Sequence, residues 1–388
     1  MKITQLHALV NQTTQEVLGE TAVVQDDLSN VVDIGKQIVD SDNVDNYVKK
    51  LVNHIGKVIF VNRLYAGGVP SVLMDSWEYG SILEKISADM PTATENKSWD
   101  LNDGEDYSPN VFYKPSVSAK FFNSMVTFEI PMSFTEMQVK QSFSNANQLN
   151  GFISMLVTAI ENAMTVKLDA LIMRTITNMA AETLAVELDV EGVITYTGTG
   201  VKAVNLLALF NNGKQAAQKV TKETALLNAD FIRFATYQIG LYQDRMSTIS
   251  TLFNVGGKAR FTPKDMLHTV LLADFAKSSS TFLTADVQNA ENVTLPKHET
   301  VPYWQGSGLN YSLVDVSSLD VKTSTGKEVK MDGLIGVMFD RDALGVTNLE
   351  RRVTTNYNPK AEFYNNFYKF DAGYYNDLNE NFIVFFMG

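Results

Sequence analysis

The sequence predicts an α+β fold built around one very long helix. Three observations predict it. Between residues 148 and 182, Leu149, Phe152, Ile153, Leu156, Ile160, Ala163, Met164, Leu168, Leu171, Ile172, Ile176 and Met179 recur at three- and four-residue steps with no Pro among them; this is the apolar stripe of a helix. After it, short apolar and alternating runs separated by turn formers read as strands. The last of these runs, Val384-Phe385-Phe386-Met387, is expected to be paired inside a sheet, because a free apolar edge promotes aggregation. A helix of roughly 35 residues is about 52 Å long. A sphere of 388 residues has a radius of gyration near ~21 Å. An elongated or flat body is therefore expected.

The elements follow in chain order. Residues 1–60 are polar. Val31, Ile34, Ile38, Val44, Val48, Leu51 and Val52 give a patchy helical spacing, interrupted by Gly19 and Gly35. This predicts short helices in an arm rather than a packed domain. Residues 57–61 read as a strand and Gly67-Gly68-Val69-Pro70 as a turn. A short helix is expected over 77–86. Residues 91–110 are a loop, acidic and rich in turn formers towards its end. Residues 116–121 and 125–131 alternate and read as the two strands of a projecting excursion, with Phe122-Asn123-Ser124 between them.

Ser144 or Asn145 is placed to cap the long helix. Residues 186–190 and 193–196 read as strand pieces. Gly198-Thr199-Gly200 is a turn before a helix over 203–220, and a second helix is expected over 236–247. Strands are expected at 269–272, 311–316 and 333–339. Residues 341–388 are crowded with Phe and Tyr, with turns at Asp371-Ala372-Gly373 and over 376–380. No internal repeat is evident.

Composition narrows the chemistry. Charged residues are 20% and hydrophobic residues 45% of the chain, which excludes disorder through excess charge. Asp and Glu total 44 against 32 Lys and Arg, a net charge of −12. A surface of that sign does not grip phosphate. No Cys is present, so disulfides, thiolate metal sites and a Cys nucleophile are excluded. The four His, at 7, 54, 268 and 298, are scattered. Asp100-Leu101-Asn102-Asp103-Gly104 resembles part of a calcium loop but has the wrong spacing, and Gly198-Thr199-Gly200 completes no phosphate loop. The carboxylate groups at Asp26/Asp27, Asp103/Glu105/Asp106 and Asp340/Asp342 read as charged faces. Arginines pair only at Arg351-Arg352, too little for a nucleic-acid groove. No catalytic, metal or cofactor site is expected. No run approaches the ~18 apolar residues that span a membrane, no export signal is evident, and a cytoplasmic origin is expected. This lack of chemistry shifts weight toward a structural role.

A polar arm, a two-stranded excursion, one very long helix, an α+β insertion and an aromatic strand cluster occur here in that order. This order resembles the major capsid protein of tailed bacteriophages, the fold first defined in phage Hong Kong ninety-seven. The resemblance implies an N-arm at 1–66 and an E-loop region with flanking strands at 67–133. It implies a P-domain carrying the spine helix at 134–196, an A-domain at 197–335 and returning P-domain strands at 336–388. It further implies a subunit that self-assembles into pentamers and hexamers of an icosahedral shell enclosing double-stranded DNA, which it contacts without sequence specificity. Portal and scaffolding proteins would be its other partners, the virion its location, and membrane, cofactor and enzymatic activity would be absent. Trp99, Asp103, Tyr107, Phe112, Lys114, Arg351 and Arg352 are the implied inter-subunit contacts. Interfaces favour aromatic and Met side chains, and the chain has 22 Phe, 15 Tyr and 15 Met. An acidic inner wall would not trap incoming DNA.

Some members of that family lose an N-terminal segment by proteolysis; no such cleavage is expected here. The cross-link made by the type member needs a Lys in the E-loop and an Asn in the P-domain. Lys114, Asn356 and Asn358 occupy such places, but adjacent Lys and Asn are common by chance, and no cross-link is expected. The alternatives are an encapsulin-like nanocompartment shell, another virion component such as a tail protein, and a soluble enzyme without a recognisable motif.

Overall fold

In the computed structural model the long apolar stripe forms a single helix of 42 residues, Ala146–Glu187, about 63 Å long at ~1.5 Å per residue. The structure describes residues 3–19, 23–25, 30–40, 46, 47, 50, 69–74, 82–96, 100–104, 110, 112–135, 137, 138, 146–190, 193–285, 295–306, 313 and 315–388. The strand expected at 57–61, the caps Ser144 and Asn145, and His54 lie outside them.

Before the long helix come helices α1 (Ile3–Leu18) and α2 (Val31–Asp40) and strands β1 (Leu73–Met74), β2 (Leu83–Ala88), β3 (Val117–Phe122) and β4 (Met125–Thr135). The long helix is α3. It is followed by the hairpin β5 (Asp189–Val190) and β6 (Val193–Ile194), then β7 (Ala203–Asn205), α4 (Leu206–Asn211) and α5 (Ala229–Met246). Next are β8 (Leu267–Leu272), α6 (Ala273–Ala285), β9 (Glu299–Val301), β10 (Leu319–Lys322), β11 (Glu328–Met331) and β12 (Leu334–Asp340). The chain closes with β13 (Leu344–Asn358), β14 (Phe363–Asn376) and β15 (Phe382–Phe386).

Helix α3 packs against two sheets, one of order β1-β13-β14-β4 and one of order β7-β15-β12-β8-β9, and against the β10-β11 hairpin. Its C-terminal half is buried on nearly every side: Leu171, Ile172, Met173, Ile176, Met179, Ala180, Ala181, Leu184 and Ala185 are all covered. Thr175, Thr177 and Thr183 are buried too. Their hydroxyls donate to the carbonyls of Leu171, Met173 and Met179 at 2.8, 2.9 and 2.9 Å, so no polar atom is stranded. Two carboxylates near the end of α3 bind loop backbone. Glu182 accepts from the Ser324 N–H at 2.5 Å. Glu187 accepts from the Val201 N–H at 2.6 Å and pairs with Lys202 at 2.7 Å. The strand expected to begin at 186 is therefore corrected: Val186 and Glu187 complete the helix, and the hairpin starts at Asp189.

The five-stranded sheet explains why its central strands read as unbroken apolar runs. Every residue of β12 and β15 is buried. Side chains alternate between faces along a strand. Leu334, Val337, Phe339, Phe382, Val384 and Phe386 join the apolar cluster around α3. Ile335, Met338, Ile383 and Phe385 join a second cluster with Phe231, Ile232 and Ile239 of α5 and Phe275 of α6. A strand covered on both faces needs no polar face. The expectation of a final paired strand holds, since β15 lies between β12 and β7, with Val384 opposite both Val337 and Ala203. Gly333, at the entry to β12, has φ 93°, and a Cβ there would lie 2.3 Å from the Met387 carbonyl oxygen; only Gly fits.

The four-stranded sheet has one apolar and one polar face. Phe128, Ile130, Met132 and Phe134 of β4 share the inner face with Tyr364, Tyr368 and Phe370 of β14. On the outer face Thr127, Asp371 and Arg352 form one chain of bonds, and Lys369 pairs with Glu129 at 3.1 Å.

Several local expectations are corrected. Residues 82–86 are extended, not helical, because β2 pairs with β3. The projecting two-stranded element is thus β2-β3, while β4 returns to the body beside β14. The helix expected over 203–220 is β7 followed by the short α4, capped by Asn205 accepting from the Ala208 N–H at 2.9 Å and stopped before Gly213, whose φ is 76°. Helix α5 begins earlier than expected, at Ala229, where Asn228 caps the Phe231 N–H at 2.9 Å. Asp315 and Val316 lie in and beside a turn rather than a strand, with the Ser318 N–H donating to the Asp315 carbonyl at 3.1 Å. Asp371-Ala372-Gly373 lies inside β14 rather than in a turn.

The arm is more firmly packed than its polarity suggests. Val10, Val24, Ile34, Ile38 and Tyr47 are buried in the same apolar cluster as α3. His7 bonds the Val24 carbonyl at 2.7 Å, and Asn11 accepts from the Val24 N–H at 2.9 Å. The accessible surface is 21391 Å² for 43.1 kDa, well above the roughly 15,000 Å² of a compact monomer of this mass.

Candidate assembly surface

The ribbon formed by β2 and β3 has two unlike faces. Leu83 pairs with Phe122, Lys85 with Lys120, Ser87 with Ser118 and Ala88 with Val117. On the outward face stand Ile82, Ile86, Met90, Val117 and Phe121, between 57% and 66% exposed. Five large apolar side chains on one exposed strip are what a partner surface covers. Burying the rest of each contributes about 1–2 kcal/mol. Beyond the ribbon, Leu101, Phe112 and Tyr113 of the connecting loop are also exposed, the last two at 84% and 85%.

The inward face is ionic. Lys85 spends all three ammonium protons, on Asp377 at 3.0 Å, Glu380 at 2.8 Å and the Asp342 carbonyl at 3.1 Å. Lys120, on the other strand, donates to the same Asp377 at 2.7 Å. Asp377 also accepts from the Asn379 N–H at 3.1 Å, and its side chain is 2% exposed. Arg260 reaches Glu380 at 3.3 Å. Farther along the ribbon, Asp89 accepts from Lys258 and from the Ser116 hydroxyl, both at 2.8 Å. Phe122 packs against Tyr375 with the rings tilted and their centroids 5.0 Å apart. On the body side the turn after β14 is locked to the 253–262 loop. Phe382 N–H donates to the Phe253 carbonyl at 2.9 Å, and Gly256 N–H to the Leu378 carbonyl at 2.8 Å. Beneath lies a buried chain in which Asn381 donates to Thr262 at 3.1 Å and Thr262 to Asp340 at 2.7 Å.

These contacts set a pH response. Burial pushes the Asp377 carboxyl up, but the hydrogen bonds from Lys120 and Lys85 outweigh it and leave it below its ordinary 3.8. Burial pushes Lys85 down, but Glu380 and Asp377 outweigh it and leave it above 10.5. A lowered carboxylate stabilises fully above its unfolded value and loses that contribution as pH falls through the folded one; a raised ammonium does so in the opposite sense. Hydrogen exchange of the ribbon amides is therefore expected to stay flat between about pH 5 and pH 9, after correction for the intrinsic rate, and to rise below about pH 4. A midpoint near neutrality would contradict the assignment.

The residues expected to make contacts are found in two places. Asp103, Phe112 and Lys114 are exposed on the loop that the ribbon carries, Asp103 beside Gly104 with φ 91°. Trp99 and Tyr107 lie outside the described residues. Arg351 and Arg352 are on β13. Arg351 is half-buried at the irregularity after Asn348, and Arg352 donates to Asp371 at 2.5 Å within its own sheet. Asn356 lies on β13 opposite Asn365, and Asn358 accepts from the N–H groups of Lys360 and Ala361. Sequence reasoning missed the apolar strip and the ionic face. The signal for the strip was the four-residue spacing of Ile82, Ile86 and Met90, an even spacing that an extended chain places on one face; for the ionic face there was none. Among the described residues no three His, Asp or Glu side chains form a metal-binding group, and no helix is long and apolar enough to cross a membrane.

The sequence model of one family, Phi29-like phage major capsid protein, matches residues 9–386. The chain belongs to that family. No curated protein matches the capsid subunit. Among solved structures it is similar to a chain in "Structure of head fiber and inner core protein gp22 of native bacteriophage P68", with 9% identity over 84% of this chain and 86% of that one, at a TM-score of 0.52. A chain of the Staphylococcus phage Andhra capsid matches with 10% identity over 84% and 86%, TM-score 0.49. One of the cyanophage P-SCSP1u capsid matches with 10% identity over 85% and 94%, TM-score 0.47. The capsid subunit has the α+β fold of tailed-phage capsid proteins, serves as a structural component of the virion, and builds a lattice with copies of itself.

Proposed function

We propose that the lattice is a closed icosahedral shell of pentamers and hexamers that encloses double-stranded DNA, assembled in the host bacterial cytoplasm with portal and scaffolding proteins. The observation that carries this reading is the apolar outer strip of the β2-β3 ribbon. It stands away from a body to which the inner face is already bonded, so its partner is a neighbouring copy. In this reading the ribbon and its loop are the E-loop, with Asp103, Phe112 and Lys114, together with Trp99 and Tyr107, at its contacts, and α3 is the spine helix of the P-domain. Arg352 lies on the outer face of the returning strands, where a neighbour would meet it, while Arg351, opposite Phe370 on the inner face, is the weaker candidate for such a contact. The net charge of −12 favours a container that repels phosphate rather than one that binds it. The reading assigns the subunit no enzymatic step.

Negative-stain electron microscopy with sedimentation of the full-length protein, produced alone and together with neighbouring phage genes, tests this. Uniform closed shells, DNA-filled when recovered from infected cells, are expected. Subunits that stay monomeric in both preparations, or shells filled with protein cargo, would overturn it.

A further inference from the structure

We propose that Asp377 aims the ribbon: a single buried carboxylate grips Lys85 on one strand and Lys120 on the other, and so sets the direction in which the apolar strip and its loop leave the body. This rests on the reading that the ribbon contacts a neighbouring copy. Two strands held at one point by two ammonium groups can neither twist nor slide independently. The carboxylate is itself held, by the Asn379 N–H at 3.1 Å and through the turn that closes on the 253–262 loop. The second ionic contact, Asp89 with Lys258 at 2.8 Å, lies at the far end of β2 and fixes the remaining degree of freedom. The inner face of the ribbon carries few apolar groups besides Leu83 and Phe122, so these ion pairs rather than a core determine its angle. Shell curvature depends on the angles between neighbouring subunits. A ribbon released from Asp377 would meet its neighbour over a range of angles, and the subunit would lose the ability to make one shell size.

The experiment uses the full-length protein carrying Asp377→Asn, which keeps the shape and removes the charge, and separately Lys120→Met, a milder change on the ribbon side. Hydrogen exchange of the unassembled subunit is read at residues 83–88 and 117–122, with β12 and β15 as internal controls. Exchange in the ribbon is expected to rise about tenfold in both variants, with the controls unchanged. The double variant is expected to exchange no faster than Asp377→Asn alone as far as the Lys120 contact is concerned. Micrographs of assembled particles are expected to show a broadened or irregular size distribution. Unchanged ribbon exchange would overturn the latch. Faster exchange with wild-type shells of unchanged diameter would overturn its role in aiming. If the wild-type protein forms no shells, the assembly reading fails instead, and the exchange measurement still decides whether Asp377 holds the ribbon.

Discussion

Phe121→Asp is expected to abolish shell formation while leaving the subunit folded. Phe121 is 64% exposed and lies opposite Glu84 on the outer strip, so it contributes little to the subunit's own core. An exposed substitution of this kind shifts stability by about 0.5 kcal/mol or less. In the proposed contact the same side chain lies on the exposed strip beside Ile82 and Ile86. Truncating an interface anchor of this type costs about 2 kcal/mol or more, and a desolvated carboxylate costs further. The loss recurs at every copy of the contact, so a modest penalty per subunit prevents closure. Sedimentation is expected to show subunit-sized material for Phe121→Asp and normal particles for Phe121→Leu, with equal thermal midpoints for the two unassembled subunits. Normal shells from Phe121→Asp would show that this face is not a contact.

Ile176→Ala is expected to destabilise the unassembled subunit by about 2–5 kcal/mol, the range for an aliphatic residue cut to Ala in a close-packed core. Ile176 has no accessible surface and sits on the part of α3 enclosed between the sheets. Its neighbours belong to several elements, and a rigid helix 42 residues long cannot move into the space at one point without disturbing the rest. The control is Thr158→Ala on the same helix, where the side chain is exposed and the change is expected to stay within about 0.5 kcal/mol. Denaturant unfolding of the two variants separates them by midpoint. Equal midpoints would mean that the C-terminal half of α3 is not the core of the fold.

Sequence alone determined the parts whose signal is local and repeated. Helix α3 is legible because its 3.6-residue period runs unbroken for many turns. Strands β12 and β15 are legible because a strand covered on both faces must be apolar throughout, and the lack of any catalytic or metal-binding motif followed from residue types alone. Short windows were ambiguous. Leu83-Glu84-Lys85-Ile86 places apolar groups three apart as a helix does, while Ile82 and Ile86, an even number of residues apart, share one face of a strand. Pairing with residues 117–122 decided between them, and that partner lies outside any local window. Asn205 was legible as neither cap nor strand end until Val384 was seen beside Ala203. The packing of Val10 and Tyr47 against the α3 cluster was hidden by the polar residues around them.

The ionic face of the ribbon was decided by tertiary structure alone. Lys120 and Asp377 are 257 residues apart, and Lys85 and Glu380 are 295 apart. Charged residues are common along any chain, and nothing in their spacing marks which will meet. They meet because the two sheets and α3 bury their apolar surface in only one arrangement, and that arrangement carries the turn after β14 up against the root of the ribbon. A carboxylate left there unpaired would bear the full cost of its desolvation, and two lysines on adjacent strands offset it.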